Sequence, residues 1–127
     1  MPHFIIECSQ DVLWQRTSDE IMDAVFTVAE SAGLFAANDI KVRLQPYQYY
    51  RLGKNKNNFL HVFGYIMEGR STEQKADLSI QIVTRLTALL PDVSFLSVNI
   101  NEFEAATYSN KALINPENND RDRHFGL

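Results

Sequence analysis

The second residue, Pro2, carries the most chemical information in the sequence. Methionine is usually trimmed from a chain whose next residue is small, and trimming here would leave proline first, with a secondary amine. Partial burial beside Phe4 and nearby cationic groups would disfavour the protonated amine and bring its pKa toward neutrality. A general base works best when its pKa lies near the operating pH. We therefore predict a proton-shuttling base at Pro2; an inert processing site is the plainer alternative.

Three cationic residues could hold an anion near such a base. Lys41 and Arg43 lie two residues apart on one predicted strand face, so they could project into one cleft or simply line a solvated edge. Arg70 comes just before a predicted helix, where free amides and the helix dipole favour a carboxylate; the alternative is a surface arginine in a loop. Lys41, Arg43 and Arg70 are the candidate substrate-binding residues.

Composition and motif content exclude several classes of function. The 127-residue chain has a formal net charge of -4, which argues against nucleic acid as its main partner because phosphate binding needs clustered Lys and Arg. His3, His61 and His124 lack the spacing of a metal site. The chain has no glycine-rich phosphate loop and no Gly-x-Ser-x-Gly turn around a nucleophilic serine. We expect neither a metal site nor a nucleic-acid partner.

One predicted strand places aromatic side chains on a single face. Phe59, His61, Phe63 and Tyr65 alternate along it, as aromatic residues do in RNA-recognition domains. The acidic net charge, and the absence of the Lys/Arg-Gly-Phe pattern of those domains, favour packing in the core or against another subunit.

The sequence also bears on the cellular compartment. A single cysteine, Cys8, excludes an intramolecular disulfide and fits a reducing environment. The opening residues lack the basic region and long apolar run of a signal peptide. No segment approaches the roughly 20 apolar residues of a membrane-spanning helix. We predict a cytoplasmic protein without a membrane partner.

Two similar strand-helix-strand units should position these residues. The first has a strand from His3 to Cys8, a capping box at Thr17 to Glu20, a helix ending at Gly33 and a strand from Ile40 to Tyr47. Its helix is predicted to bury Ile21, Val25, Val28 and Ala32, with Met22, Phe26 and Ala29 widening the apolar stripe.

The second unit repeats this layout. It has a strand from Phe59 to Met67, a capping box at Ser71 to Gln74, a helix stopped by Pro91 and a strand from Val93 to Phe103. Its helix is predicted to turn Ala76, Ile80, Val83, Leu86 and Leu90 inward.

Helical crossovers imply parallel strands within each unit, joined right-handedly, with both helices on one face of one sheet. We predict an α/β (α+β) protein in which two helices cover one face of a mostly parallel sheet with a pseudo-twofold repeat. The chain is taken as one domain, 1–127, with a core at about 2–104. Residues 105–127 form a C-terminal arm that is either loosely ordered or clasps another subunit.

Four segments resemble a known enzyme family. They are PHFIIECS at 2–9, GLF at 33–35, IKVR at 40–43 and GRS at 69–71, and their order and approximate spacing are similar to those of the 5-carboxymethyl-2-hydroxymuconate isomerase family, within the tautomerase superfamily. The resemblance covers roughly residues 2–104.

The resemblance implies a β-α-β-β-α-β subunit and a homotrimer whose three sheets enclose a core, with active sites near subunit boundaries. It implies conversion of an unsaturated 2-hydroxy (dienol) carboxylate, such as 5-carboxymethyl-2-hydroxymuconate, to its 2-oxo isomer without a cofactor, in the breakdown of aromatic compounds. Pro2 would be the base, and Arg43 and Arg70 would clamp carboxylates. Lys41 stands where the family favours arginine and offers only a point charge.

A second hypothesis comes from a different class. A trimeric protein with the tautomerase fold could act without catalysis and use its surface or its aromatic strand for binding, because a fold does not settle a function.

Overall fold

The computed structural model describes residues 1–114, and a four-stranded sheet and two long helices dominate them. The elements are β1 (His3–Ser9), α1 (Ser18–Ser31), β2 (Lys41–Tyr47), β3 (Phe59–Met67), α2 (Thr72–Leu89), β4 (Phe95–Phe103) and a short α3 (Lys111–Ile114). Short 3-10 turns lie at Gln10–Trp14, Ala37–Asp39 and Ala105–Thr107. The predicted element order is confirmed. His124 and the rest of the arm from residue 115 lie outside the described residues.

Both long helices begin with the predicted capping boxes. The Thr17 hydroxyl accepts a hydrogen bond from the Glu20 amide, and the Glu20 carboxylate accepts one from the Thr17 amide, both at 3.1 Å. Ser71 and Gln74 make the same reciprocal pair at the start of α2. Each box satisfies backbone amides that have no partner within the helix.

The sheet has the strand order β2-β1-β3-β4. Strands β1 and β2 pair in parallel, as do β3 and β4, whereas the central pair β1 and β3 is antiparallel. The predicted fold is thus confirmed: each strand-helix-strand unit is parallel, and the two units join into a mixed sheet. The starts of β1 and β2 therefore meet the ends of β3 and β4, at what we call the site end of the sheet.

The core lies between the sheet and the two long helices. Phe4, Ile6 and Val62 are fully buried beneath Val25 of α1 and Ile82 of α2. Close packing extends to the backbone of β3. A Cβ built at Gly64 would lie 2.6 Å from Ile100 Cδ1 and 3.2 Å from the Phe4 ring, so the absence of a side chain lets these residues meet.

The predicted apolar stripe is confirmed for α1 and partly wrong for α2. Helix α1 buries Ile21, Val25 and Val28, whereas α2 buries Leu78, Ile82 and Leu86. Ile80, predicted to point inward, is 62% exposed, and Ala76 is exposed as well. Two adjacent stripes of α2 are apolar and share Leu86, so periodicity alone did not select the one that packs.

The opposite face of the sheet carries polar and aromatic side chains, and we call it the free face because both long helices pack on the other side. On β1 and β3, every second side chain belongs to this face, and these side chains are half-buried. His61 lies there, with Nδ1 2.6 Å from Ser97 Oγ and Nε2 2.5 Å from Asn99 Oδ1. The aromatic residues of β3 thus lie outside the single-chain core, and subunit packing stays a prediction. No helix among residues 1–114 has the length and apolarity needed to cross a membrane.

Candidate active site

Pro2 is buried at the site end of the sheet, where β1 begins. Its carbonyl accepts a hydrogen bond from the Lys41 amide at 3.1 Å, which extends the parallel pairing of β1 and β2 by one residue. Met1 precedes it and is only 1% exposed. The start of the chain is therefore enclosed by protein.

Met1 fills the space ahead of Pro2. Its amine donates to the Asp39 carbonyl at 3.2 Å and lies 3.7 Å from Asp39 Oδ2. Its sulfur lies 3.5 Å from Nδ2 of Asn110, which in turn contacts the Tyr108 hydroxyl at 3.3 Å. While Met1 is attached, the Pro2 nitrogen belongs to an amide and has no basic lone pair. Removal of Met1 would both expose this nitrogen and vacate the space that the methionine occupies.

Lys41 lies next to this space. Its ammonium donates to the Asp39 carbonyl at 2.6 Å, so it shares an acceptor with the Met1 amine. The lysine side chain is otherwise exposed at the edge of the sheet. The structure thus brings Lys41 and the start of the chain together.

Arg43 projects onto the free face. Its Nη1 lies 3.1 Å from His3 Nδ1, and since a guanidinium only donates, the histidine nitrogen accepts. Burial lowers the pKa of His3, and the positive charges of Lys41, Arg43 and the chain terminus lower it further. A cavity of about 250 Å³ opens beside this pair, lined by His3, Ile5, Arg43, Tyr65 and Phe103.

Lys41 and Arg43 also line a larger groove between β2 and α1, of about 800 Å³. The opposite wall carries Asp19, Glu20 and Asp23, and Pro2 is not among the lining residues. Those carboxylates would repel an anionic substrate. Although this groove is the common cleft that the two cations could share, its charge does not suit a carboxylate.

Arg70 packs on the helix side of the sheet, between β3 and α2. It is 9% exposed, and its Nη2 donates to the Leu34 carbonyl. Its guanidinium lies 5.4 Å from the Phe35 ring centroid, and that ring contacts Phe4 edge-on. Burial lowers the pKa of Arg70. Arg70 is therefore a largely buried arginine, not the surface arginine of the alternative reading.

The structure thus places Pro2 and Lys41 together at the site end. Arg43 shares a face of β2 with Lys41 and lies beside His3, whereas Arg70 lies on the helix side of the sheet, where it contacts Leu34 and Phe35. Sequence reasoning missed two polar residues that contact Met1: Asp39, which ends the turn before β2, and Asn110, which lies in the arm. A signal for Asp39 existed. In parallel pairing from His3 opposite Lys41, the residue two before Lys41 falls opposite Met1.

Comparisons with known proteins agree with this fold. A 5-carboxymethyl-2-hydroxymuconate isomerase from Deinococcus radiodurans R1 superposes with a TM-score of 0.76 at 24% identity, over 87% of this chain and 88% of that one. A member of the cis-3-chloroacrylic acid dehalogenase family gives 0.68 at 16% identity, over 86% and 80% of the two chains. A fused 4-OT, described as a wild type symmetric trimer, gives 0.68 at 16% identity, over 86% and 91%.

No curated protein sequence matches the chain significantly. A sequence model for 5-carboxymethyl-2-hydroxymuconate isomerase, however, matches residues 2–117, which includes nearly all of the described part and the first half of the arm. Because this match spans most of the chain, the chain belongs to the 5-carboxymethyl-2-hydroxymuconate isomerase family, within the tautomerase superfamily.

Proposed function

We propose that this protein is a cofactor-independent isomerase that converts an unsaturated 2-hydroxy (dienol) carboxylate, such as 5-carboxymethyl-2-hydroxymuconate, to its 2-oxo isomer. Pro2, freed by removal of Met1, is the general base. The observation that carries the proposal is the enclosed chain start, with Pro2 buried directly behind a removable residue and beside Lys41.

The reaction needs one group that takes a proton and gives it back. The Pro2 nitrogen accepts the proton of the 2-hydroxyl group, whose electron pair then forms the carbonyl while the conjugated double bonds shift. The resulting secondary ammonium returns the proton to a carbon of the dienolate. The atoms balance without an oxidant, a metal or a cofactor, and the intermediate carries one additional negative charge that cations at the site would stabilise.

Lys41 and Arg70 are the cations on which this stabilisation rests. Lys41 supplies a flexible ammonium close to the chain start, and Arg70 supplies a guanidinium held by Leu34 and Phe35. Arg43 would bind a further carboxylate in the cavity that it shares with His3 and Tyr65. Because His3 follows Pro2 directly, this cavity adjoins the proposed base, and a substrate with two carboxylates could reach both faces at this end of the sheet.

We also propose that the protein is a homotrimer, acts in the cytoplasm and belongs to the breakdown of aromatic compounds. The free face, with its half-buried aromatic and polar side chains, is a surface that association would cover. The symmetric trimer of the structurally similar fused 4-OT supports that assembly. Sedimentation velocity with purified protein tests it directly, and a monomer would contradict it.

The decisive experiment is replacement of the base. Pro2→Ala, with Met1 removal verified by intact mass, should lower kcat for ketonisation of a 2-hydroxydienoate at least about 100-fold, because general acid-base catalysis contributes roughly 10²–10⁴. Pro91→Ala, at the end of α2, is the matched control and should leave the rate unchanged. A Pro2→Ala rate equal to that of the wild type would exclude the assigned role.

The buried Met1 also favours a second candidate, a non-catalytic binding protein with this fold. If the mature protein retains Met1, the nitrogen of the proposed base Pro2 stays in an amide and the space ahead of it stays filled. Intact mass distinguishes the two candidates: retained Met1 excludes catalysis by Pro2, and loss of Met1 with no activity toward any enolic acid leaves the binding role.

A further inference from the structure

Asp39 carries a largely buried carboxylate that lies beside the N-terminus in the folded protein. It ends the 3-10 turn before β2 and is 7% exposed. Taking a carboxylate out of water is costly unless a charge or several hydrogen bonds compensate. The Met1 ammonium lies 3.7 Å from its Oδ2 and donates to its carbonyl at 3.2 Å. Asp39 therefore contacts the chain terminus through both its side chain and its backbone.

The strand register places the Pro2 nitrogen at the same acceptor. In a parallel ladder, one residue bonds through its nitrogen and its oxygen to two residues of the neighbouring strand that lie two apart. The Pro2 carbonyl accepts from the Lys41 amide, so the Pro2 nitrogen faces the carbonyl of Asp39. Proline has no amide hydrogen within a chain, and the Met1 amine uses this carbonyl instead. After removal of Met1, the Pro2 amine would have hydrogens to donate there.

Within residues 1–114, the other ionisable groups named beside the terminus are cationic or uncharged. His3 follows Pro2 on β1, and its lowered pKa includes a contribution from the terminal amine. Lys41 contributes an ammonium from β2, and Arg70 contributes a guanidinium from the connection between β3 and α2. On the side of the arm, Asn110 contacts Met1 and the Tyr108 hydroxyl. Burial and these cations disfavour protonation of the amine, and Asp39 acts in the opposite direction.

We propose that the Asp39 carboxylate is the counter-ion of the Pro2 amine in the processed protein, a positioning residue that holds the amine by its charge and keeps it protonable against burial and the surrounding cations. This inference rests on the proposed function, since it explains how the Pro2 amine can hold the substrate proton long enough to return it to carbon.

The test is a titration of the Pro2 amine by NMR in processed protein labelled with ¹⁵N-proline, run beside the pH profile of kcat/KM. Asp39→Asn should lower the pKa of the amine by about 1 or more, a loss of proton affinity of at least about tenfold. The acidic limb of kcat/KM should move to lower pH by the same amount, because the unprotonated base then persists there. Asp39→Glu should restore most of the wild-type pKa.

Asp92→Asn is the matched control, because it removes the same charge at the opposite end of the sheet, and it should leave the titration unchanged. An Asp39→Asn protein that titrates like the wild type would overturn the proposal. Wild-type protein provides a second test that needs no substitution: the Asp39 ¹³Cγ resonance should shift with the same midpoint as the Pro2 nitrogen, and a ¹³Cγ that does not respond would also overturn it. Both NMR tests work without turnover, so loss of the proposed activity is distinguishable from loss of the ion pair.

Discussion

The two strand-helix-strand units have matching hydrogen bonds at the start of their inner strands. In the first unit, the Lys41 amide donates to the Pro2 carbonyl at 3.1 Å, and in the second the Phe95 amide donates to the Asn58 carbonyl at 3.2 Å. Pro2 and Asn58 therefore occupy equivalent positions, each directly before an inner strand, and both are buried. They differ in what closes the space around them.

Asn58 closes its end of the sheet with its own side chain. Its Oδ1 accepts from the Ser94 amide at 2.6 Å, and the residue is 5% exposed. At the other end, the space is closed by Met1, which processing can remove. The two equivalent positions thus differ in what closes them: a side chain of the same residue in the second unit, and the preceding residue in the first.

Blocking the Pro2 nitrogen should have the largest effect on activity. An uncleaved residue added before Pro2 keeps its nitrogen in an amide, so kcat should fall by roughly 10²–10⁴, the range expected for loss of a general base. The assay is ketonisation of a 2-hydroxydienoate, and the control is the same addition at the C-terminus. Full activity in the blocked protein would show that the Pro2 end of the sheet has no catalytic base that the Asn58 end lacks.

Truncating the Asn58 side chain should affect stability and not activity. Asn58→Ala leaves the Ser94 amide without its side-chain acceptor and should lower the free energy of unfolding by about 1–3 kcal/mol. Urea denaturation measures the loss. Asn57→Ala, next along the chain but exposed, should stay within about 0.5 kcal/mol of the wild type. A large loss of activity without a loss of stability in Asn58→Ala would contradict the structural role.

The capping boxes at the two helix starts should contribute equally to stability. Thr17→Ala and Ser71→Ala each remove the hydroxyl of a capping box and should each cost about 1 kcal/mol of stability. Thr72→Ala, adjacent to the second box but outside it, serves as the control in the same denaturation experiment. Costs that differ by more than 1 kcal/mol would show that the two boxes are equivalent only in appearance.

The smallest expected effect concerns pH. His3 is equivalent to Phe59 in the second unit, so only the first unit titrates at this position. Burial lowers the pKa of His3 from 6.5, so the unfolded chain binds the proton more readily than the folded chain. Protonation of His3 therefore lowers the free energy of unfolding as the pH drops below 6.5, and His3 has no such effect above that value. Urea midpoints of His3→Gln should depend less steeply on pH than those of the wild type; equal slopes would contradict this account.

Local signals in the sequence predicted the fold well. Capping boxes, strand alternation and turn residues act over a few positions, and the element order that they gave is confirmed. The exposed Ile80 marks where this approach fails. Two overlapping apolar stripes of α2 satisfy the same periodicity, and only contact with the sheet distinguishes them.

The candidate site was harder to predict because it depends on register and on which face a side chain takes. The spacing of Lys41 and Arg43 correctly places them on one strand face, but Arg43 contacts His3 across the strands while Lys41 bonds the Asp39 carbonyl. Asp39 occupies a turn and belongs to no motif, so its contact with the chain start emerges only from the pairing of β1 with β2. Asn110 reaches Met1 from 109 residues away, beyond any local pattern.

The enclosure of Met1 constrains the order of events during biosynthesis. An aminopeptidase must bind an accessible N-terminus. In the folded chain Met1 is only 1% exposed, so its N-terminus is not accessible. If Met1 is excised, as the proposed function requires, excision has to precede closure of this end of the fold. Rapid overproduction that outpaces the peptidase would accumulate molecules that are well folded yet permanently immature.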